Sequence, residues 1–296
     1  MKKNKKRNFI VLGIVIVLVA CIAIMLFQVK GEKKEVVETD QNSYRYIKVD
    51  GKDYRYRTNL KTILFLGIDT TDETKNQGQS DAIDLAIFDR DQQKIKIVSL
   101  SRDTMCKIRL FDSEGNDLGW DKQHLGLAYS YGKNRKHGGI LAKDAVSKLL
   151  SDVPLVNYTA FDLNSLQELQ DIIGDMPMVL DDDYIDINPL WKKGKKIVIN
   201  RDNVEEFVRS RNTSKDYSNK TRMQRQKLYI QTYINQLKTK LTNDYSITLQ
   251  KMYDFYSKLT TNITLKEIDS YAEMILNYSI DNNEYYTLPG EDQKGE

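Results

Sequence analysis

Three apolar runs between Lys61 and Arg102 constrain the fold of this 296-residue chain more than any other feature. They read TILFLGI, AIDLAIF and KIKIVSL, and polar residues separate them. The first run is apolar at successive positions, which is typical of a strand covered on both faces of a sheet. Strand and helix patterns intermix along the rest of the chain. We therefore expect an α/β fold, with α+β as the alternative, in which helices flank both faces of a central mixed β-sheet.

Charged residues lie at the ends of these three runs. Asp69 follows the first run, Asp81 opens the second and Arg102 follows the third. Antiparallel neighbours would place the end of one strand beside the start of the next. Two carboxylates that meet there could hold Mg²⁺ together with phosphate oxygens. The alternative is that both aspartates are turn residues, which are common at strand ends. Alternation of side chains places Asp84 on the face opposite Asp81, away from such a site.

A second charged cluster lies in the segment FVRSRNTSKDYSNKTRMQRQ. It contains four arginines followed by an amide: Arg209, Arg211, Arg222, Arg225 and Gln226. Arg222 and Gln226 are spaced i, i+4 and share one helix face. Because guanidinium groups bind phosphate bidentately, the segment could form an anion site. The alternative is a solvated basic helix face whose arginines pair with Glu205, Glu206 and Asp216.

The N-terminal residues predict a membrane anchor. Five basic residues lie within residues 1–8, and residues 9–29 are apolar except at Gly13 and Gln28. Such a run is long enough to cross a hydrocarbon core as a helix. Basic residues stay on the cytoplasmic side, so we expect a single-pass protein of the cell membrane whose ectodomain lies on the outer face. A cleaved signal peptide is the alternative, but the following residues QVKGEKKEVVE contain no small-residue cleavage site.

Composition excludes two classes of site. The net charge of +3 arises from 45 basic and 42 acidic residues, so without the five basic residues of the tail the remainder is slightly acidic. Nucleic-acid-binding domains are usually distinctly basic, and we expect no nucleic-acid partner. The two cysteines, Cys21 and Cys106, lie in the anchor and the ectodomain. They predict no intramolecular disulfide framework and no Cys/His zinc site.

The ectodomain divides by pattern. Residues 30–43 are charged and predict a linker. Residues 44–58 contain alternating tyrosines around an Asp-Gly pair, which predicts a β-hairpin extension. Residues 59–290 are long enough for one large domain, and residues 291–296 form a tail. Within this domain the polar segment that follows Arg102 predicts a loop-rich lip beside a site.

In order and spacing, several motifs of this chain resemble those of the LytR-CpsA-Psr family of membrane-anchored cell-wall enzymes. They are LFLGID, SDAIDLAIFD, SLSRD, LAYSYG, VRSR with RMQRQ, and TNITLKEIDSYA with YTLPGE. The resemblance covers nearly the whole chain. It implies a phosphotransferase that joins a polyprenyl-pyrophosphate-linked glycopolymer to peptidoglycan through a phosphodiester bond. It also implies Mg²⁺ as the cofactor, with Mn²⁺ as an alternative.

The resemblance also implies roles for individual residues. Asp69 and Asp81 match the aspartates associated with Mg²⁺, and with Arg102 they form the catalytic set. The residues that match the pyrophosphate-binding set are Arg102, Arg209, Arg211, Arg222 and Gln226. Arg225 is a further candidate. Two more candidates depart from the family pattern: Gln79 stands where the family has an arginine, and His124 stands where it has a lysine. Lys122, which is close to His124 in sequence, is the last candidate. Two alternatives stay open: a non-catalytic or regulatory lipid-pyrophosphate-binding relative, and a lipid pyrophosphatase.

Overall fold

The computed structural model describes residues 46–49, 51–70, 78–162, 165–212 and 220–291. The chain divides into two compact units, Met1–Tyr56 and Arg57–Glu296. The expected tail, transmembrane segment and linker all lie outside the described residues. Among the helices that are described, none combines the length and the apolar character needed to cross a membrane.

The described part of the first unit is a β-hairpin. Strand β1 (Tyr46–Val49) pairs antiparallel with β2 (Lys52–Arg55). Gly51 between them has a φ of +76°, a left-handed conformation that glycine adopts without steric cost. The alternating tyrosines therefore predict this local structure correctly.

Six strands of the second unit form one mixed sheet in the order β11-β8-β3-β4-β5-β12. Neighbours β3–β4, β4–β5 and β8–β11 are antiparallel, whereas β3–β8 and β5–β12 are parallel. Two antiparallel ribbons, β6–β7 and β9–β10, stand beside this sheet. The strand bounds are β3 (Leu60–Ile68), β4 (Ser80–Asp89), β5 (Lys94–Leu100), β6 (Met105–Phe111), β7 (Asp117–His124), β8 (Asn157–Asp162), β9 (Met176–Val179), β10 (Lys196–Ile199), β11 (Thr260–Thr261) and β12 (Tyr285–Thr287).

Six α-helices are described in this unit, together with two 3-10 helices, Leu125–Tyr131 and Asn282–Glu284. The final α-helix begins with the reciprocal hydrogen bonds of a capping box between Thr264 and Glu267, as the sequence predicts. The α-helix bounds are α1 (Arg135–Leu149), α2 (Ser165–Ile173), α3 (Val204–Arg209), α4 (Lys220–Asn243), α5 (Tyr245–Tyr256) and α6 (Leu265–Asn277).

Helix α1 and the 3-10 helix at Leu125–Tyr131 cover one face of the sheet, here called the closed face. Leu64, Leu66 and Leu85 of the sheet pack there against Ala145 and other small residues of α1. The contact is close because α1 carries a glycine at the interface. A Cβ on Gly139 would lie 2.0 Å from Cε2 of Tyr158. This face therefore has no space for an additional methyl group at that point.

Helices α4 and α6 pack on the other face, here called the cavity face. Ala86, Phe88 and Ile97 of the sheet contact Tyr271 and Met274 of α6. Helices α2, α3, α4 and α5, with β9 and β10, form a further apolar cluster. Helices therefore flank both faces of a central mixed sheet, as the sequence predicts.

The segment predicted to be loop-rich contains the β6–β7 hairpin instead. Strand β6 alternates buried Cys106 and Ile108 with exposed Lys107, a pattern that suits a half-buried strand. The sequence of β7, DLGWDKQH, has no apolar alternation. Its register with β6 gives its backbone groups hydrogen-bond partners, so β7 is a strand because of pairing and not because of side-chain burial.

Candidate functional site

The ends of β3, β4 and β5 lie at one rim of the sheet. Strands β3 and β4 are antiparallel, and the backbone N–H of Asp69 donates to the carbonyl oxygen of Gln79 at 2.9 Å. Arg102 lies two residues beyond β5, and the N–H of Gly126 donates to its carbonyl oxygen at 2.9 Å. A Cβ on Gly126 would lie 3.1 Å from that of Arg102. The pairing thus brings together the charged residues at the strand ends, as the sequence predicts.

A β-bulge sets the direction of Asp81. Gly67 lies opposite Ala82, whereas Ile68 lies opposite Ser80, so Asp81 is the extra residue on β4. A bulge disrupts side-chain alternation and redirects the residue that it contains. The Asp81 side chain consequently reaches the same cavity as that of Ala82, its neighbour in the chain.

Asp81 lies between two arginines. Nη1 of Arg102 donates to its Oδ1, and Nη1 of Arg222 donates to its Oδ2 at 3.2 Å. Nη2 of Arg222 also donates to the Asp81 carbonyl oxygen at 3.2 Å. Burial lowers the pKa of Arg222, and the charge of Asp81 opposes this change only in part. For Arg102 burial is the largest single influence and acts to lower the pKa, but the hydrogen bond and charge of Asp81, with the charges of Asp103 and Asp69, together raise it.

The second predicted arginine pair adjoins these residues. Nη2 of Arg209 lies 3.2 Å from Oδ1 of Asp69, and its Nη1 contacts Glu205 one turn earlier. Arg209 therefore makes both kinds of contact that the sequence suggested. It contacts Asp69 of the site, and it pairs with Glu205 on its own helix. Arg211 is exposed, and its positive charge contributes to lowering the pKa of Arg222.

Two neighbouring side chains hold the backbone that carries these arginines. Nη2 of Arg225 donates to the carbonyl oxygen of Ser210, and Nε2 of Gln226 donates to that of Val208 at 3.1 Å. Arg225 is only 1% exposed and stacks over the ring of Tyr184. Burial lowers its pKa to about 10. The structure thus places Arg225 beneath the site as a positioning group, a role that its spacing in the sequence does not reveal.

Buried guanidinium N–H groups remain unpaired at this rim. The Nε atoms of Arg102 and Arg222 make no hydrogen bond within the described residues, although Asp103 lies 3.4 Å from the former. Buried polar groups are normally hydrogen-bonded, so each exception requires an explanation. The positive charge of these two guanidinium groups favours the binding of an anion at this rim.

The remaining candidates lie beside this cluster. His124 ends β7, and its Nδ1 is 3.1 Å from the Asp103 carbonyl oxygen. Lys122 lies on the exposed side of the β6–β7 hairpin, and Gln79 is exposed next to Asp69 in the β3–β4 pair. Among the described residues, no hydrogen bond or ion pair joins any of these three side chains to the carboxylate of Asp69 or Asp81.

A cavity of about 330 Å³ opens from the rim between the sheet and the helices of the cavity face. Its polar end includes Asp81, Arg209, Arg222 and Gln226. The rest of its wall is largely apolar. Representative residues of that wall are Phe65, Phe161, Ile230, Ile234, Phe255 and Ile275. A charged end joined to an apolar interior suits a ligand with an anionic head and a hydrocarbon chain.

The position of Asp84 corrects the expectation that it faces away from the site. Because the bulge interrupts alternation, Asp84 lines the same cavity as Asp81. The Ser99 hydroxyl donates to Oδ1 of Asp84. The Tyr285 hydroxyl donates to the same oxygen at a distance of 3.2 Å. Burial raises the pKa of this carboxyl although both hydrogen bonds act to lower it. Sequence patterns missed this cluster because its members come from three separate strands.

The donor set allows a magnesium ion only with help from a ligand. Asp69 and Asp81 supply two carboxylates, and the described residues contain no group of three His, Cys, Asp or Glu side chains arranged for a metal. Both oxygens of Asp81 already accept hydrogen bonds from arginines. Mg²⁺ often takes one or two carboxylates and completes its shell with phosphate oxygens and waters, so these residues fit such a site when phosphate is present.

Comparison with known sequences gives a family match over most of the chain. The sequence model of the LytR_cpsA_psr family matches residues 23–296. A polyisoprenyl-teichoic acid–peptidoglycan teichoic acid transferase, TagU from Enterococcus faecalis, is 30% identical over 179 residues. The match covers 59% of this chain and 53% of that protein, so the chain matches about half of the length of this relative.

Solved structures share the fold. TagV from Bacillus subtilis has a TM-score of 0.62 at 19% identity, with 80% of this chain and 87% of that chain covered. A structure of TagT bound to LI-WTA has a TM-score of 0.56 at 20% identity, with 78% of each chain covered. At these identities the likeness concerns the architecture of the chain.

Proposed function

Because the chain belongs to the LytR_cpsA_psr family, we propose that it is a phosphotransferase of the outer face of the cell membrane. The reaction joins a glycopolymer carried on polyprenyl pyrophosphate to peptidoglycan through a phosphodiester bond. The name of the Enterococcus relative describes a transfer of this class. The observation that carries the proposal is the arginine pair Arg209 and Arg222 at the polar end of an otherwise apolar cavity, with Arg102 bound to Asp81 at the same rim.

The donor matches the two ends of the cavity. Its pyrophosphate binds the guanidinium groups of Arg102 and Arg222 at the rim, and Arg209 and Arg211 add positive charge. Its hydrocarbon chain enters the apolar interior between the sheet and α4. Burial of hydrocarbon provides affinity at about 25 cal/mol per Å² of apolar surface, and the guanidinium groups fix the position of the head group.

Asp69 and Asp81 would hold Mg²⁺, or Mn²⁺, together with oxygens of the pyrophosphate. The ion supplies positive charge that offsets charge on the phosphate oxygens. Arg102 and Arg222 would then contact the pyrophosphate as well as Asp81. Arg225 and Gln226 keep the segment of Arg209 and Arg211 in place through its carbonyl groups.

The chemical step is an exchange of one P–O bond for another. A sugar hydroxyl of peptidoglycan attacks the phosphorus that carries the glycopolymer, and the bond from that phosphorus to the bridging oxygen breaks. Polyprenyl phosphate leaves with the electron pair, and the arginines stabilise its developing charge. Asp69 accepts the hydroxyl proton in this proposal, because it is half exposed and one guanidinium contacts it, whereas Asp81 is held by two.

Membrane attachment through residues 9–29 complements this chemistry. A single helix with its basic end inside would keep the catalytic domain beside the outer leaflet, where a polyprenyl-linked donor resides. Anchoring would also raise the local concentration of enzyme at its lipid substrate.

The test uses the full chain in detergent with a lipid-pyrophosphate-linked oligosaccharide and soluble peptidoglycan fragments. We expect a covalent sugar-phosphate-peptidoglycan product that requires Mg²⁺ and disappears with EDTA. Arg102→Ala should lower its rate by roughly 10²–10³-fold, because an oriented donor to the transition state is lost. Lys195→Ala, at an exposed lysine before β10, is the matched control and should leave the rate unchanged.

Two other results would contradict transfer, and a third would contradict the proposed site. Release of lipid phosphate without acceptor would indicate the pyrophosphatase alternative. Donor binding without turnover would indicate the non-catalytic alternative. Product formation that is equal for Arg102→Ala and the wild type would place the chemistry elsewhere.

A further inference from the structure

The connection between β9 and β10 presents apolar side chains to solvent, and we call residues 184–191 the ribbon tip. Ile185 and Leu190 of the tip are 49% and 65% exposed. Single exposed apolar residues are common on protein surfaces, but a group of them marks a surface that contacts a protein or a membrane. The ribbon that carries the tip adds to the group, because three of the four residues on its exposed side are apolar. They form two cross-strand pairs, Pro177 with Val198 and Val179 with Lys196.

Two aromatic residues hold the ribbon tip in place. The N–H of Tyr184 donates to the carbonyl oxygen of Trp191 at 2.8 Å, which closes the tip at its base. Both side chains are buried, and each ring packs edge-on against Phe207 of α3. Ile185 and Leu190 are the sequence neighbours of these aromatic residues, yet their side chains lie outside the core. The fold therefore holds two apolar side chains in solvent at a fixed place.

The ribbon tip adjoins the arginine rim of the site. The Arg225 guanidinium lies over the ring of Tyr184, 5.7 Å from its centroid. The same guanidinium donates to the carbonyl oxygen of Ser210, which follows Arg209 in the chain. Arg209 in turn lines the polar end of the cavity. The tip therefore lies beside the opening of the cavity.

Two lysines follow the ribbon tip directly. Lys192 and Lys193 are exposed, and among the described residues neither side chain pairs with a carboxylate. The aspartates that precede the tip accept hydrogen bonds within the ribbon. Asp181 accepts from the Tyr184 hydroxyl at 2.6 Å. Asp183 accepts from the backbone N–H of Lys193 at 2.8 Å. Apolar side chains beside free ammonium groups match the boundary between the acyl chains and the phosphate head groups of a bilayer.

Resting on the proposed attachment of the protein to the cell membrane, we propose that the ribbon tip is a further membrane contact, which enters the outer leaflet of a phospholipid bilayer. Ile185 and Leu190 enter the upper part of the acyl chains, and Lys192 and Lys193 lie at the phosphate groups. Asp186 is exposed within the tip. Because a carboxylate is costly in hydrocarbon, the tip stops at the boundary of the head groups. This contact places the opening of the cavity next to the leaflet.

The experiment measures the depth of the ribbon tip in a bilayer, without donor and without turnover. Full-length protein with Cys21→Ser is placed in nanodiscs of phosphatidylcholine and phosphatidylglycerol. An environment-sensitive nitrobenzoxadiazole label is attached at Leu190→Cys. The matched control carries the label at Leu265→Cys, which is 54% exposed at the start of α6. That position lies far from the rim, because Nζ of Lys61 at the start of β3 is 3.8 Å from Oε1 of Glu267 in α6, whereas the rim is at the end of β3.

We expect spin-labelled phosphatidylcholine to quench the label at Leu190→Cys about threefold more strongly than the label at Leu265→Cys, because the tip alone reaches the leaflet. Adding Ile185→Asp should reduce the quenching at the tip to the level of the control. Adding Ile247→Asp instead, at an exposed residue of α5 beyond the far end of α4, should leave it unchanged. Cys106 is buried and should stay unlabelled in the folded protein. Urea denaturation checks that each variant is folded.

Several results would overturn the inference. Equal quenching at Leu190→Cys and Leu265→Cys would show that the tip has no preferred contact with lipid. A label at the tip that resists lipid quenching and shifts to the blue with protein concentration would assign the tip to another protein molecule. Quenching that survives Ile185→Asp would show that the apolar side chains do not hold the tip in the leaflet.

The failure of this inference is distinguishable from the failure of the proposed function. The assay contains no donor and needs no reaction, so loss of transfer activity does not affect it. Recovery of the protein in nanodiscs is scored separately from quenching. Protein that does not enter nanodiscs would contradict attachment through residues 9–29, and with it the contact proposed for the tip.

Discussion

The two faces of the central sheet are packed in opposite ways. On the closed face, α1 lies so near the sheet that Gly139 has no space for a Cβ beside Tyr158. On the cavity face, the helices leave about 330 Å³ of space next to the same strands. Interiors of proteins are normally close-packed, so a cavity of this size has a cost in lost contacts. One face therefore contributes packing stability, and the other contains space for a ligand.

The polar groups follow the same division. The closed face contains the free thiol of Cys106 among apolar side chains. The cavity face contains the Asp84 cluster in its wall and Asp81 with Arg222 at its opening. Substitutions of similar size should therefore affect stability on one face and ligand binding on the other.

The largest expected effect is on the closed face, from Gly139→Ala. The new Cβ would overlap Tyr158, whose hydroxyl is held by a hydrogen bond to the Lys136 carbonyl oxygen at 3.0 Å. We expect a loss of about 3 kcal/mol in the free energy of unfolding, measured by urea denaturation. Gly67→Ala on β3 is the control, since its Cβ would lie 3.2 Å from that of Ala82 and should cost less. Equal losses would mean that the two sites do not differ in packing.

A second test uses the Cys106 thiol as a probe of the closed face. Burial raises the pKa of this thiol from 9.0 to about 11. Because the thiolate is the reactive form, labelling at pH 8 should be roughly a hundredfold slower in the folded protein than in urea. The measurement uses a Cys21→Ser background, so that one thiol reports. Labelling that is equally fast in both states would show that the closed face opens readily.

A third test compares two alanine-to-leucine substitutions. Ala86→Leu fills part of the cavity and should reduce the affinity for polyprenyl phosphate about tenfold, with less than about 1 kcal/mol lost in stability. Ala145→Leu on α1 meets a filled core and should destabilise the fold by about 1–3 kcal/mol. Lipid binding and urea denaturation are measured for both. The comparison fails if Ala86→Leu destabilises the fold as much as Ala145→Leu does.

The smallest expected effect concerns Asp84 and pH. Because its pKa in the folded protein is raised above the ordinary value of 3.8, folding favours the protonated carboxyl. Stability from this group is therefore present at low pH and falls as pH rises through the interval that begins near 3.8. Asp84→Asn cannot ionise, so it should gain stability relative to the wild type between pH 4 and pH 8. Parallel pH profiles of denaturation would contradict a protonated Asp84.

Local patterns predict much of the fold and the composition of the rim. The apolar runs of β3, β4 and β5 and the capping box at Thr264 are encoded in neighbouring residues, and the structure contains all of them. Antiparallel pairing brings the strand ends that carry Asp69, Asp81 and Arg102 to one rim. The predicted arginines also lie at this rim, because α3 and α4 bring them to the same opening.

The remaining features depend on contacts that a local pattern does not contain. Strand β7 is polar and is fixed by its register with β6. The bulge at Asp81 needs the register of two strands, and it turns Asp81 toward the cavity that Asp84 also lines. The contact of Arg225 with Ser210 needs two helices to pack. In each case the feature depends on a residue or strand from another part of the sequence, or on an irregularity in strand pairing.

The pairing of β12 with β5 has a consequence for how the chain reaches its final state. Lys94 and Glu284 meet across 190 positions of sequence, and Tyr285 lies opposite Ile97. Until the later segment arrives, β5 presents the unpaired edge of a nearly complete sheet, which can template association with another chain. Contacts of such sequence separation form slowly. A chain that crosses a membrane while it is being made would be most prone to aggregation in the interval before this last strand docks.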